Sequence, residues 1–219
     1  MSFPPKSAIV RKSPVQARSV ATIAVLHTAV IQVLTREGLG RCTTTRIAQR
    51  AGVSVGTIYQ YYPNRDVLLA AVLERHLEGF SASVIGACKE AEGKPIAAMT
   101  RHLVTALVRL KLSDPQEAAA LYAVAAEKTG KNIALTVHNL MLPAIANMLQ
   151  SAPDAVFDRL TLTAEVFLSI FLGLPRTMLE DYGSAEFAEG LGTQLETALL
   201  AYLQAVRDDD RPMRDGPRF

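Results

Sequence analysis

The stretch from Thr43 to Arg65, T-T-T-R-I-A-Q-R-A-G-V-S-V-G-T-I-Y-Q-Y-Y-P-N-R, leaves the chain around it few options. The Thr43 hydroxyl is placed to accept from a backbone N–H one turn into a short helix, and Ile47, Ala48 and Ala51 then fall on a single inward stripe. Gly52 ends that helix by supplying left-handed backbone, and Val53 plugs the angle to the next one. Ser54 caps the second helix. At about 100° per residue, Ser54, Ile58 and Tyr62 share one face, while Gly56, Thr57, Tyr59 and Gln60 sweep the opposite one. The segment reads as a helix-turn-helix, with an inner face for the scaffold and an outer face free to read. The competing view is an ordinary interhelical turn with tyrosines as filler. Cap, glycine, plug and polar outer face at the required spacing argue against it.

The outer face suits DNA. Gly56 lets the backbone approach closely, Thr57 and Tyr59 offer hydroxyls to phosphates, and Gln60 can bond base edges in the major groove. Arg65 is a candidate phosphate clamp. This run resembles the DNA-binding domain of the TetR (tetracycline repressor-like) transcriptional regulators, whose pattern is T-T-x-x-I-A-x-x-A-G-V-S-x-G-T-x-Y-x-Y-F-x-x-K. The resemblance covers roughly residues 14–73 and departs at Tyr62, where the family usually has Phe, and at Arg65, where it usually has Lys. Motif and resemblance together imply a DNA-contacting set of Thr44, Thr45, Ser54, Val55, Gly56, Thr57, Tyr59, Gln60, Tyr61 and Arg65.

Charge is divided along the chain. Residues 1–65 hold nine Lys/Arg and one acid, Glu37; subtracting these from 23 basic and 21 acidic residues leaves 14 and 20 beyond residue 65. A head of +8 on a body of −6 confines nucleic-acid binding to the N-terminal part. Cys42 and Cys88 lie far apart without metal-ligand spacing, so no disulfide framework and no metal site is expected. No secretory signal is read in residues 1–14. No stretch reads as a membrane span, the most apolar window being Leu160–Leu174, and a cytoplasmic protein without a membrane partner is expected.

The organisation follows from the breaks. Residues 1–13 form a basic arm, and Ser13-Pro14 opens a first helix with a stripe of Ile23, Leu26, Val30, Val33 and Leu34, in which His27 is expected to be partly exposed. Asn64 caps a connector helix with a stripe of Leu69, Leu73, Leu77, Phe80 and Val84. Breaks at Gly93-Pro95, Ser113-Pro115, Thr129-Gly130, Ala152-Asp154 and Tyr182-Ser184 define five more helices, with Pro143 and Pro175 expected to kink or interrupt two of them. The expected fold is all-α with about nine helices: a three-helix DNA-binding domain over 14–65, a larger helical effector-binding and dimerisation domain over 66–207, and a charged tail over 208–219.

No catalytic signature is present, since G-x-S-x-G, H-E-x-x-H, a P-loop and a dinucleotide fingerprint are all missing, so no enzyme and no cofactor is expected. Polar groups within the apolar faces of the body, His102, Thr105, Tyr122, Glu127, His138 and Asn139, with Met141 as an apolar wall, are candidates for a small-molecule pocket. In the family the last two helices dock on their copy as a four-helix bundle. The resemblance thereby implies a homodimer, through Phe167, Phe171, Leu191, Leu195, Ala198, Leu199 and Tyr202. The implied function is a transcriptional regulator, a repressor freed from operator DNA by a largely apolar effector. The competing class is a helical small-molecule binding or enzymatic protein whose head serves protein interaction.

Overall fold

The structure, a computed structural model, describes residues 14–112, 114–179 and 185–208. Among these residues there are nine α-helices, one 3₁₀ turn and no strand. The chain divides into two compact units at Leu68 and Leu69, inside the fourth helix. The basic arm and the end of the charged tail lie outside the described residues.

The first unit holds α1 (Pro14–Glu37), the 3₁₀ turn (Leu39–Arg41), α2 (Thr44–Ala51), α3 (Val55–Tyr61) and the start of α4 (Arg65–Ala91). Leu26, Val30, Val33 and Leu34 on α1 are buried, as are Ile47 and Ala48 on α2 and Ile58 on α3. Burying each of these Val, Leu and Ile side chains contributes about 1.5 to 3 kcal/mol against the entropy of ordering so short a segment. The caps sit where the sequence puts them. Thr43 Oγ1 accepts from Arg46 N at 3.3 Å, and Ser54 Oγ accepts from Thr57 N at 3.0 Å. Asn64 Oδ1 accepts from Val67 N at 2.9 Å. Gly52, at φ 68° and ψ 30°, has the left-handed backbone on which the turn depends. One expectation is corrected: His27 is not partly exposed but buried, and its Nε2 lies 2.7 Å from the Tyr62 hydroxyl.

The second unit contains the rest of α4, then α5 (Ile96–Leu112), α6 (Pro115–Ala126), α7 (Lys128–Gln150), α8 (Leu160–Leu179) and α9 (Ala185–Val206). Its core runs through Met99, Leu103, Leu107, Met141, Ile145, Phe167, Phe171, Leu195 and Leu199, with the two phenylalanine rings stacked 6.1 Å apart. Asp114 caps α6 ahead of Pro115, and Asp154 caps α5 from across the unit, accepting from Ile96 N at 2.9 Å.

Three expectations change here. The corner between α6 and α7 is Glu127, with extended backbone at φ −65° and ψ 156°, and not Thr129-Gly130. Gly130 lies within α7, where any Cβ would run into the backbone of Val124 and Ala125, so the glycine serves close approach of two helices and not a break. Pro143 and Pro175 do not interrupt α7 and α8, which continue through them. Finally, segments Arg18–Glu37, Gly130–Gln150 and Leu160–Thr177 are long and apolar enough to cross a membrane by length and composition, although none was read so from sequence. In this fold each gives part of its apolar residues to a core, as Phe167, Leu168 and Phe171 do in the third, while Val20, Val25, Leu135, Leu140 and Leu162 stay exposed.

Candidate nucleic-acid interface and ligand cavity

In the first unit, α3 carries the contrast that a reading helix needs. Ile58 is fully buried while Tyr59 is 53 % exposed, and Gly56 and Gln60 are exposed beside it. Thr45 is exposed at the start of α2, whereas Thr44, Val55, Thr57 and Tyr61 are half-buried. The Ser54 and Thr57 hydroxyls lie 2.9 Å apart, so each has a partner within the helix start, alongside the cap.

Arg65 departs from its expected task. Its Nε donates to the Cys42 carbonyl at 2.5 Å, one terminal nitrogen donates to the Leu39 carbonyl at 2.6 Å, and the other pairs with Asp66 at 3.2 Å. The planar fork staples the 3₁₀ turn that feeds α2, a geometry that a lysine ammonium cannot reproduce. Arg65, expected as a phosphate clamp, is held as an internal staple that positions the motif, with about a third of its side chain still exposed.

Sequence reasoning missed a basic recess on the same unit, lined by Gln32, Arg36, Glu37, Arg46, Gln49 and Arg50. Arg46 pairs with Glu37, the single acid of residues 1–65, and Arg50 Nε donates to Gln32 Oε1 at 2.5 Å. The signal was the i, i+4 spacing of Arg46 and Arg50, which sets both on one face of α2.

In the second unit, a cavity of about 460 Å³ opens among α4, α6, α7 and α8. Leu73, Leu77, Phe80, Leu121, Met141 and Leu172 are its apolar walls, and His76, Tyr122, His138, Ser169 and Arg176 bring polar groups to it. Its volume falls within the range of roughly 300 to 1,000 Å³ usual for small-molecule sites. Of the expected pocket residues, Tyr122, His138 and Met141 line it. His102, Thr105, Glu127 and Asn139 do not. His102 lies 3.2 Å from Glu90, Thr105 donates back to the Arg101 carbonyl, and Asn139 is on the exposed side of α7. The sequence could not say which face of each helix meets the void. Among the described residues, no group of three or more His, Cys, Asp or Glu side chains is placed to hold a metal.

The expected dimer residues are corrected in part. Phe167, Phe171, Leu195 and Leu199 are 0 % exposed and Leu191 is 1 %, all within one chain. Side chains already enclosed by their own protomer have no surface to give a partner. Ala198 is exposed, and Tyr202 is half-buried, packed against the same core.

A cap–turn–cap unit on a buried apolar face, with a solvent-facing second helix, is a helix-turn-helix, and among the described residues the second unit is helical with a void of small-molecule size. Comparison with known proteins agrees. The family model "Bacterial regulatory proteins, tetR family" matches residues 26–72, and "Tetracyclin repressor-like, C-terminal domain" matches residues 95–203. The chain belongs to the TetR family of transcriptional regulators. The nucleoid occlusion factor SlmA of Haemophilus ducreyi is 35 % identical over 71 residues, which is 32 % of this chain and 35 % of that protein. The match thus spans about a third of that relative's length. Over most of the chain the fold is similar to a Rhodococcus transcriptional regulator (TM-score 0.66, 21 % identity, 87 % of this chain and 99 % of the other). It is also similar to the regulator FadR of Bacillus subtilis in complex with stearoyl-CoA (TM-score 0.66, 16 % identity, 82 % and 98 %).

Proposed function

We propose that this regulator is a homodimeric, cytoplasmic repressor that holds a two-fold operator through α3 and releases it when a small molecule fills the cavity of the second unit. The observation that carries the reading is the division of α3, polar and exposed at Tyr59 and Gln60 against a wholly buried Ile58. On this reading Gln60 meets base edges, while Thr44, Thr45, Ser54, Val55, Gly56, Thr57, Tyr59 and Tyr61 bring the two short helices against the backbone. Arg36, Arg46 and Arg50 supply charge for phosphates from the neighbouring recess. The DNA-binding domain spans 14–65, and the effector and dimer domain 66–207. Its interface uses the outward sides of α8 and α9, with Leu162, Ala198 and Ala201, and the exposed edge of Tyr202. FadR, a protein of the same fold, holding stearoyl-CoA supports an apolar effector in the body. The role is binding, with no catalytic step.

The test separates specificity from affinity. Gln60→Ala should relax base preference by about 1 to 3 kcal/mol at one position, whereas Arg50→Ala should weaken all sequences alike and lower the salt slope by about one per contact. Binding titrations on DNA fragments selected from the source genome, at several salt concentrations, provide the measurement. If Gln60→Ala left the preferred sequence untouched, α3 would not be the reading element.

A further inference from the structure

Residues 1–65 carry nine Lys/Arg and a single acid, Glu37, and that acid lies against one of the arginines of the helix-turn-helix. Glu37 ends α1, and its carboxylate pairs with the guanidinium of Arg46. Arg46 stands in the first turn of α2 beside the exposed Thr45, and its backbone N–H is the one that the Thr43 cap receives. The pair lines the recess that also holds Arg36 and Arg50, and the two side chains remain 44 % and 33 % exposed, within reach of a polyanion. Exposed ion pairs add little to stability, so the pair's larger effect is on what the recess binds.

Glu37 both offsets the charge of Arg46 and fixes where its guanidinium points. The pair occupies one terminal nitrogen, and a guanidinium has five N–H donors in one rigid plane, so donors remain for a phosphate that arrives at the place where Arg46 is held. A duplex docked in the operator register brings its phosphates to one fixed position against α2, because base contacts set that register. A duplex bound without register brings them anywhere, and Arg46 can follow only by leaving Glu37. Non-specific binding grows with the number of phosphates neutralised, so a pinned arginine is withheld from it. Arg50 is held instead by the neutral Gln32 and keeps its full charge toward any duplex. We propose, resting on the reading of this recess as a phosphate-contacting surface, that Glu37 is a specificity-determining residue: it pins Arg46 so that this arginine counts toward the operator and not toward other DNA.

The test is fluorescence anisotropy of the full-length protein on two duplexes of equal length, the DNA fragment it selects and a scrambled sequence, at several salt concentrations. Glu37→Gln keeps an acceptor for Arg46 and removes the charge. It should tighten binding to the scrambled duplex about three- to tenfold near 0.1 M salt and steepen that duplex's salt slope by about one, while the selected fragment gains less than about twofold. Arg46→Ala should weaken the selected fragment by about three- to tenfold and leave the scrambled duplex within about twofold. Added to Arg46→Ala, Glu37→Gln should change neither duplex by more than about twofold, since its partner is gone. Thermal melts show that the variants fold. Equal tightening on both duplexes, or tightening that persists in the Arg46→Ala background, overturns the inference, because Glu37 would then act as bulk charge alone. No change on either duplex in Glu37→Gln overturns it too. If Arg46→Ala and Arg50→Ala then also leave both duplexes unchanged, the reading of the recess as a phosphate surface falls with it, whereas a loss in Arg50→Ala leaves that reading standing.

Discussion

At Tyr62 a single oxygen changes what the head's core is made of. A phenylalanine there would offer only carbon, but Tyr62 is 8 % exposed and its hydroxyl meets His27 Nε2 in the interior. Tyr62→Phe should therefore destabilise the protein by about 1 to 3 kcal/mol, since it removes a partner from a buried ring nitrogen. The double variant His27→Leu, Tyr62→Phe should regain much of that loss, giving a coupling that a double-mutant cycle in urea detects. A single variant as stable as wild type would deny the bond any role. The two cysteines make a separate, pH-dependent contribution. Burial pushes the Cys42 thiol up to about 11 despite the charge of Arg65, and burial with Glu92 pushes Cys88 up to about 12. Both folded-state values lie above that of an unfolded thiol, near 8.5. The stability they confer is therefore complete below about pH 8 and is lost as pH rises toward about 11 for Cys42 and about 12 for Cys88. The slope is at most about 1.4 kcal/mol per pH unit per thiol. Urea midpoints at pH 8, 9.5 and 10.5 should fall faster for wild type than for Cys42→Ala, Cys88→Ala. A pH-independent difference would count against the assignment.

Elements with strong local grammar were legible in the sequence, and faces were not. Thr43, Gly52, Ser54 and Asn64 announce their caps and turn because each acts on backbone within three or four residues. The fold class follows from the same grammar repeated along the chain. What stayed hidden depends on partners far away in sequence: His27 with Tyr62, Arg65 with the Leu39 carbonyl, and the choice of which polar groups on α5, α6 and α7 border the void. The final helix shows the limit most clearly. Its apolar stripe was legible at Leu191, Leu195 and Leu199, but apolarity does not say whether a stripe closes its own protomer or joins two. Leu195 is fully enclosed, so Leu195→Glu should leave no folded monomer at all, because the charge would be buried without a partner. Ala201→Glu sits on the exposed side and should instead give a folded monomer, with an unchanged circular dichroism spectrum and half the mass in sedimentation. A folded dimer from Ala201→Glu would move the interface elsewhere.

For the whole molecule, the regulation proposed above requires that two binding events share one set of conformations. α4 begins with Arg65, which staples the turn ahead of α2, and ends at Ala91 in the core of the second unit, with Leu73, His76, Leu77 and Phe80 on the cavity wall between. One continuous helix thus supplies Arg65 to the first unit and part of the cavity wall, proposed above as the effector site, to the second. A ligand releases DNA only by preferring a conformation in which the two reading helices of the dimer no longer match successive major grooves, about 34 to 36 Å apart. A small displacement of α4 suffices, because both heads must fit one stiff duplex at once. Linkage then makes the effect reciprocal: operator DNA must weaken ligand binding by the same factor by which ligand weakens DNA binding, with couplings of about 1 to 3 kcal/mol typical. The measurement is a closed square of four titrations, ligand with and without operator and operator with and without ligand, using a small molecule selected for releasing the protein from its DNA. Tyr122→Ala should alter the ligand arms by changing the cavity wall, while leaving operator affinity without ligand as in wild type. A ligand that occupies the cavity with identical affinity in the free and DNA-bound protein would have no differential free energy with which to drive release.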